Sequence, residues 1–142
     1  MKVKGKHIVV TGAGSGIGRA LVEKFVAEGA AQVVAVDVNA DTAQQTADRA
    51  GCVAMCADVS REDDIQRIIE ETEAQVGAID LFCGNAGVGL GPSEQSANDE
   101  WQASWDINVM SHVYAARHLV PRMISRGGGY ILNTASAAGL LN

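Results

Sequence analysis

The apolar positions of this 142-residue chain fall into short unbroken runs, and the stretches between them follow a helical period. Ile8-Val9-Val10, flanked by His7 and Thr11, is the first run. A strand without polar alternation is buried on both faces, which is the mark of a parallel sheet. Residues 16–29 carry a helix pattern that ends on Gly29 as its cap. Val33-Val34-Ala35-Val36 gives a second strand that stops at Asp37, residues 40–49 give a second helix with Gly51 beyond its end, and Cys52 to Cys56 give a third strand. The next helix is expected to open at Ser60, with Asp63 three residues on in a near capping box, and to run to about Val76. Ile79 to Cys83 is the fourth strand, residues 89–99 a loop rich in Gly, Pro, Ser and Asn, and residues 100–126 a helix in one or two pieces. Gly127-Gly128-Gly129 then leads into a fifth strand, Tyr130 to Asn133.

Strands that are apolar along their length and alternate with helices imply an α/β domain: a doubly wound parallel sheet, covered on both faces and joined by right-handed crossovers. The length suits one domain over residues 1–142, able to bury roughly two thirds of its unfolded surface. Ligands of such sheets sit outside the carboxyl ends of the strands.

The end of the first strand carries the strongest chemical signal, Thr11-Gly12-Ala13-Gly14-Ser15-Gly16-Ile17-Gly18. Glycine lets a backbone approach a ligand closely, and the helix start beyond it presents unpaired N–H groups to an anion. Counting separates the candidate motifs. A phosphate loop of the Walker type needs a second glycine five after the first, followed by Lys and a hydroxyl residue, but five after Gly12 is Ile17. The pattern G-x-G-x-x-G fails as well, since from Gly12, Gly14 or Gly16 its last position falls on Ile17, Arg19 or Leu21. G-x-x-x-G-x-G fits, and the expected guest is a dinucleotide pyrophosphate. Asp37, about twenty residues past the turn, ends the second strand where a carboxylate accepts hydrogen bonds from both ribose hydroxyls of an adenosine. A 2′-phosphate would meet like charge there, and Asn39 and Ser15 offer no cation to offset it. The expected cofactor is therefore NAD rather than NADP.

Charge and composition exclude other classes. Eleven Lys and Arg against 17 Asp and Glu give a net charge of −6, which disfavours nucleic acid, whose binding rests on basic residues neutralising phosphates. Lys2, Lys4 and Lys6 precede an apolar stretch, but Thr11 and Gly12 cut it short, and no apolar run approaches the roughly 20 residues that span a bilayer. A soluble cytoplasmic protein with no membrane partner is expected. Cys52, Cys56 and Cys83 form no C-x-x-C pair and read as buried thiols, and His7, His112 and His118 lack the spacing of a zinc motif, so no metal is assigned.

Thr11, Gly12, Gly16 and Gly18, set between a strand and a helix, resemble the cofactor motif of the short-chain dehydrogenase/reductase family, and further segments come in that family's order. The resemblance implies the Rossmann fold and an NAD-binding role for Thr11, Gly12, Ser15, Gly16, Ile17, Gly18 and Asp37. Asp58 and Val59, after the third strand, are similar in placement to the family's adenine contacts. Gly84-Asn85-Ala86-Gly87 matches the family's Asn-Asn-Ala-Gly except at Gly84. Asn85, Ala86 and Gly87 are thus implied to pass beside the cofactor ribose, and the bond of the first Asn is left open. Asn108, in Asp106-Ile107-Asn108-Val109, looks like the residue whose backbone supports a water in the proton relay. Ser136, before Ala137-Ala138-Gly139, looks like the serine that orients the substrate oxygen.

By this resemblance the chain is an oxidoreductase that moves hydride between NAD(H) and an alcohol or carbonyl substrate, with Ser136 and Asn108 as its catalytic residues. The family completes its site with a Tyr four positions before a Lys, about thirteen positions after the Ser. Here the sequence ends at Asn142; Tyr114 is followed at the fourth place by His118 and Tyr130 by Thr134. That absence bears on the chemistry, because an unperturbed Tyr near pKa 10 must drop by roughly three units, about 4 kcal/mol, to exchange protons near neutrality. The chain is therefore expected to be the cofactor half of a longer enzyme, truncated before that motif and ending on an open strand edge; the alternative is an NAD-binding module without turnover. Val88, Leu140 and Leu141 are candidate pocket residues, and the helix over 106–126 is the candidate contact for a homo-oligomer.

Overall fold

The structure, a computed structural model, describes residues 1–89 and 93–137. Five strands, β1 (His7–Thr11), β2 (Gln32–Asp37), β3 (Val53–Cys56), β4 (Leu81–Gly84) and β5 (Tyr130–Asn133), form one parallel sheet in the order β3-β2-β1-β4-β5. Val9 lies in register with Val34 on one side and Phe82 on the other. The chain winds outward from β1 to β3, then returns across β1 to begin β4. A cleft opens where the winding reverses, between the carboxyl ends of β1 and β4.

Burial on both faces explains the unbroken apolar runs. Ile8, Val10, Val33, Ala35 and Leu81 pack on one face with Val22, Leu21 and Phe25 of helix α1 (Gly16–Ala27) and Ala50 of helix α2 (Ala40–Ala50). Val9, Val34, Val36 and Phe82 face the other way, onto Ile65, Ile68 and Ile69 of α3 (Glu62–Gln75) and Leu119 and Met123 of a later helix over Ser111–Ser125. Each fully buried aliphatic or aromatic side chain contributes about 1.5–3 kcal/mol. The doubly wound α/β class expected from the sequence is the one observed.

Local ends differ from the expectation in instructive ways. Helix α1 stops at Ala27; Gly29, at φ +79°, lies one residue past the cap, and Ala30 N–H returns to the Phe25 carbonyl while Gly29 N–H returns to that of Val26. The capping box expected at Ser60 does not form. Asp58 captures Ser60 instead, its Oδ1 accepting both the Ser60 N–H (3.0 Å) and O–H (2.7 Å), and α3 starts only at Glu62. Cys52 lies outside β3, and β4 begins two residues later than expected. The 100–126 helix is two helices, α4 (Asn98–Trp105) and α5 (Ser111–Ser125), joined by a single π-type turn over Asp106–Met110. Of the three thiols, Cys83 is buried and Cys52 half-buried, where burial pushes them up to about 12 and about 11; Cys56 is exposed, contrary to expectation, because it ends β3 where the sheet meets solvent. β5 is one edge of the described sheet, with Tyr130 and Leu132 exposed. No helix among the described residues is long and apolar enough to cross a membrane.

Two carboxylates brace the amino-terminal end of the sheet, Glu73 joining α3 to Arg122 and Arg126 and Asp80 joining the start of β4 to that of β1. Burial alone would raise the Glu73 carboxyl, but hydrogen bonds from Arg126 and Arg122 outweigh it and hold it below the usual 4.5. Burial likewise opposes ionisation of Asp80, and the Lys6 ammonium (2.8 Å) and His7 N–H (2.9 Å) hold it below the usual 3.8. A carboxyl depressed in the folded state stabilises above its unfolded pKa, and that stabilisation is lost as pH falls through the folded value. Thermal melts should therefore be flat from pH 7 to about 5 and fall below about pH 4. Glu73→Gln should cost about 1 kcal/mol at pH 7 and flatten the acid decline; an unchanged slope would show that Glu73 does not contribute to it.

Candidate active site

Three loops meet at the carboxyl ends of the central strands, and one side chain joins two of them. The Thr11 hydroxyl, buried at the end of β1, donates to the Cys83 carbonyl (3.3 Å) and accepts the N–H groups of Asn85 (3.0 Å) and Ala86 (3.1 Å). Asn85 returns the connection, its Nδ2 donating to the Thr11 carbonyl (3.1 Å) while its Oδ1 accepts from the Thr134 hydroxyl (2.9 Å). Thr134 N–H in turn reaches the Gly84 carbonyl (2.9 Å), which carries the ladder one residue past β5. Gly12, at φ +65°, turns the chain directly against this knot. A Cβ there would lie 2.8 Å from Ala86 Cα, so both its conformation and its contact require glycine.

The glycine turn is anchored to the end of β2. Ala13 N–H bonds the Val36 carbonyl (2.9 Å), Gly14 N–H bonds Asp37 Oδ2 (2.8 Å), and Asn39 N–H bonds Asp37 Oδ1 (3.0 Å). Asn39, not Asp37, caps α2 by accepting Thr42 N–H at 3.1 Å. Asp37 is thus left at the rim of a cleft of about 850 Å³. Gly12, Ser15, Gly16, Ile17 and Gly18 form one wall of that cleft, Asp37, Asp58 and Val59 a second, and Asn85, Ala86 and Gly87 a third. Each of those expected residues lines it; Thr11 lies behind them as support. Open space faces Gly16, where an added Cβ would meet nothing within 4 Å. Bare backbone beside a carboxylate acceptor fits an adenosine diphosphate moiety. Asp58 itself is held by the Ser60 contacts and by its own N–H donating to Asp64 (2.8 Å), a hydrogen bond that, with Arg67, holds the Asp64 carboxyl below its usual value against the effect of burial.

A second cavity, of about 660 Å³, adjoins the first and shares Asn85, Ala86, Gly87, Val88 and Thr134 with it. Asn108 and Ser136 both line it. The Asn108 amide pairs with a backbone as a strand would: its Oδ1 accepts Val88 N–H (2.9 Å), and its Nδ2 donates to the Val88 carbonyl (2.9 Å) and the Ser104 hydroxyl (3.1 Å). With its side chain committed to the loop after β4, Asn108 sits in the π-type turn, a helix irregularity common at functional sites. Leu140 and Leu141, named as candidate pocket residues, lie outside the described residues.

Several lining residues were not anticipated. Val38, Ala57, Ala103 and Ile107 line the cleft, and His112 and Asn133 line the second cavity. His112 accounts for the departure at Gly84, since a Cβ on Gly84 would stand 2.6 Å from His112 Nδ1 and 2.9 Å from Asn133 Oδ1. The space of the missing side chain is filled from helix α5, and burial pushes the His112 imidazole below its ordinary value. The available signal was a His four residues after Asn108, one helical turn on. Arg19 was also passed over: its guanidinium bonds the Gly14 carbonyl and, at 3.2 Å, the Thr46 hydroxyl. Arg117 lies over the Tyr114 ring at 5.7 Å, and Arg117 and His118 both bind Glu62 of α3, which holds that carboxyl below its usual value.

A family model described as short chain dehydrogenase matches residues 6–142. Over 98% of its length the chain is 39% identical to 2,5-dichloro-2,5-cyclohexadiene-1,4-diol dehydrogenase of Sphingobium indicum, and it covers 57% of that protein. The solved structure of a short chain dehydrogenase/reductase from Burkholderia phymatum in complex with NAD is similar at TM-score 0.94 and 32% identity, over 100% of this chain and 53% of that one. A structure of ribose-5-phosphate isomerase from Brucella melitensis is similar at TM-score 0.92 and 31% identity, over 99% and 55%. The chain therefore spans a little over half the length of the relatives it matches.

Thr11→Val keeps the shape of the side chain but strands two partly buried N–H donors, those of Asn85 and Ala86. It should lower stability by about 2 kcal/mol in denaturant titrations, and a loss under about 0.5 kcal/mol would mean that water replaces the hydroxyl.

Proposed function

Because the chain belongs to the short chain dehydrogenase family, we propose that it is the cofactor-binding part of an NAD-dependent oxidoreductase acting on an alcohol or carbonyl compound. The observation that carries this reading is the continuity of the two cavities: the cleft fitted to an adenosine diphosphate opens into the space lined by Asn108 and Ser136, across shared Asn85, Ala86 and Gly87. In it, the glycine turn takes the pyrophosphate on backbone N–H groups, Asp37 takes the ribose hydroxyls, and Asp58 and Val59 take the adenine. The nicotinamide, when bound, supplies the acceptor for the hydride of the alcohol carbon. Ser136 orients the substrate oxygen, and Asn108 fixes the floor beneath it through its two bonds to Val88.

The preference for NAD rests on charge. Asp37 opposes a 2′-phosphate, and the nearby Arg19 fork is already committed to Gly14 and Thr46. The Brucella isomerase is a reminder that this fold alone does not fix a reaction. A second reading is an NAD-binding module without turnover. The name of the Sphingobium indicum diol dehydrogenase supports a cyclic secondary alcohol as substrate.

Calorimetric titration should show NAD⁺ binding more tightly than NADP⁺, and Asp37→Ala should weaken NAD⁺ by about tenfold, or about 1.4 kcal/mol, and erase the preference. Tighter NADP⁺ binding by the wild type would overturn the assignment of Asp37. With a panel of secondary and cyclic alcohols and the protein expressed from its own gene, growth of the NADH absorbance band supports the enzyme; NAD⁺ binding without any turnover supports the module.

A further inference from the structure

The glycine turn has to present its N–H groups in one direction, yet glycine leaves its peptide planes free to rotate. Three consecutive peptide units are nevertheless fixed from outside. Ala13 N–H is held by the Val36 carbonyl at 2.9 Å, Gly14 N–H by Asp37 Oδ2 at 2.8 Å, and the Gly14 carbonyl by the Arg19 guanidinium. The first two anchors come from β2. The third comes from the helix that the turn itself starts.

Arg19 is built for this. Its backbone N–H closes the first turn of α1 on the Ser15 carbonyl (3.1 Å), and its side chain folds back to the preceding carbonyl, that of Gly14. Nε is fixed in turn by the hydroxyl of Thr46, a fully buried residue of α2. Neither Gly14, Arg19 nor Thr46 is among the residues lining the cleft, whereas Ser15, Gly16 and Ile17 are. The Gly14 carbonyl is thus turned away from the cleft. The peptide bond from Gly14 to Ser15 is trans, as every described peptide bond is, and in a trans peptide the N–H points opposite to the C=O. Pinning the Gly14 carbonyl on Arg19 therefore aims the Ser15 N–H into the cleft. Ser15 is the residue before the helix, with extended backbone, so its N–H stands ahead of the α1 hydrogen-bond ladder.

We infer that Arg19 is a positioning residue of the cofactor site: through the Gly14 carbonyl it locks the Gly14–Ser15 peptide in the orientation that offers the Ser15 N–H to an oxygen of the bound dinucleotide. This rests on the proposed NAD-binding role. Arg19 differs here from a cation that attracts phosphate through space, because the guanidinium acts on the protein itself, through the Gly14 carbonyl and the Thr46 hydroxyl. A peptide released from this tether is free to flip about Gly14, and its carbonyl would then face the ligand in place of an N–H.

The test compares wild type, Arg19→Met and Arg19→Lys by NAD⁺ calorimetry at about 50 and about 500 mM NaCl, a span over which through-space charge effects are screened, with the Ser15 amide tracked by NMR in ¹⁵N-labelled protein. Arg19→Met should weaken NAD⁺ by about tenfold, in line with the loss of one charge-assisted hydrogen bond. The wild-type to Met ratio should be the same at both salt concentrations, and Lys, which keeps the charge but not the fork, should recover only part of the affinity. The Ser15 amide should shift on NAD⁺ addition in wild type and not in the Met variant. Affinities within twofold, a ratio that collapses at high salt, full recovery by Lys, or an equal Ser15 response in both proteins would each overturn the tether. Should Arg19→Met fail to fold, the Lys variant and the wild-type Ser15 shift still decide, an unmoved Ser15 amide in NAD⁺-bound wild type refuting the proposal. Wild type that binds neither NAD⁺ nor NADP⁺ defeats the underlying cofactor reading as well, whereas wild type that binds while the variants bind equally defeats the tether alone.

Discussion

The Thr11 hydroxyl is the point on which the site depends. A parallel sheet leaves the backbone groups at its strand ends without ladder partners, and those groups must be satisfied if the loops are to hold a shape. Thr11 satisfies three at once: it donates to Cys83 and accepts from Asn85 and Ala86, which brings the loop after β4 against the glycine turn after β1. Asn85 and Thr134 extend the same connection to β5. The two cavities therefore share a wall that is a hydrogen-bonded strip rather than a loose loop. Its position is set by the sheet register, not by the loop sequence alone.

Much of the fold was legible because the chain's strongest signals are local and repeated. Unbroken runs such as Val33–Val36 are needed by a sheet covered on both faces, and the helices between them carry one apolar stripe each. The glycine spacing at 12, 16 and 18 was readable because Gly12 and Gly18 answer a nearby steric demand and Gly16 a left-handed backbone at φ +51°. Side-chain competition was not readable. Ser60 and Asp63 came close to the pattern of a capping box, but Asp58, two residues upstream, offered Ser60 a closer acceptor. Long-range partners were likewise invisible. Nothing in the order of residues says that Arg19 reaches Gly14 and Thr46, or that Arg117 and His118 both turn toward Glu62.

The helical segment over 98–125 illustrates a subtler limit. Its hydrophobic period supports a helix throughout, and only the three-dimensional structure reveals the π-type turn at Asp106–Met110. That turn places Asn108 where its amide pairs with Val88 while Ser111 bonds back to the Ile107 carbonyl at 2.6 Å. One extra residue in one turn rotates the downstream helix by about 100° relative to a regular α-helix. The phase of α4 therefore does not carry over into α5, and Trp101 and Trp105 remain exposed while Leu119 and Met123 enter the core.

Gly84 and His112 share a single volume, and this has a consequence for how the sequence can vary. A side chain restored at position 84 collides with the imidazole, and a smaller residue at 112 beside an unchanged Gly84 opens a void at the end of β4. Each substitution alone is penalised by the other's native state, whereas the two together need not be. The pair is thus energetically coupled between a helix and a strand end. Drift at either position is gated by its partner, so the two should travel through descent as one inherited unit, although they stand 28 positions apart along the chain.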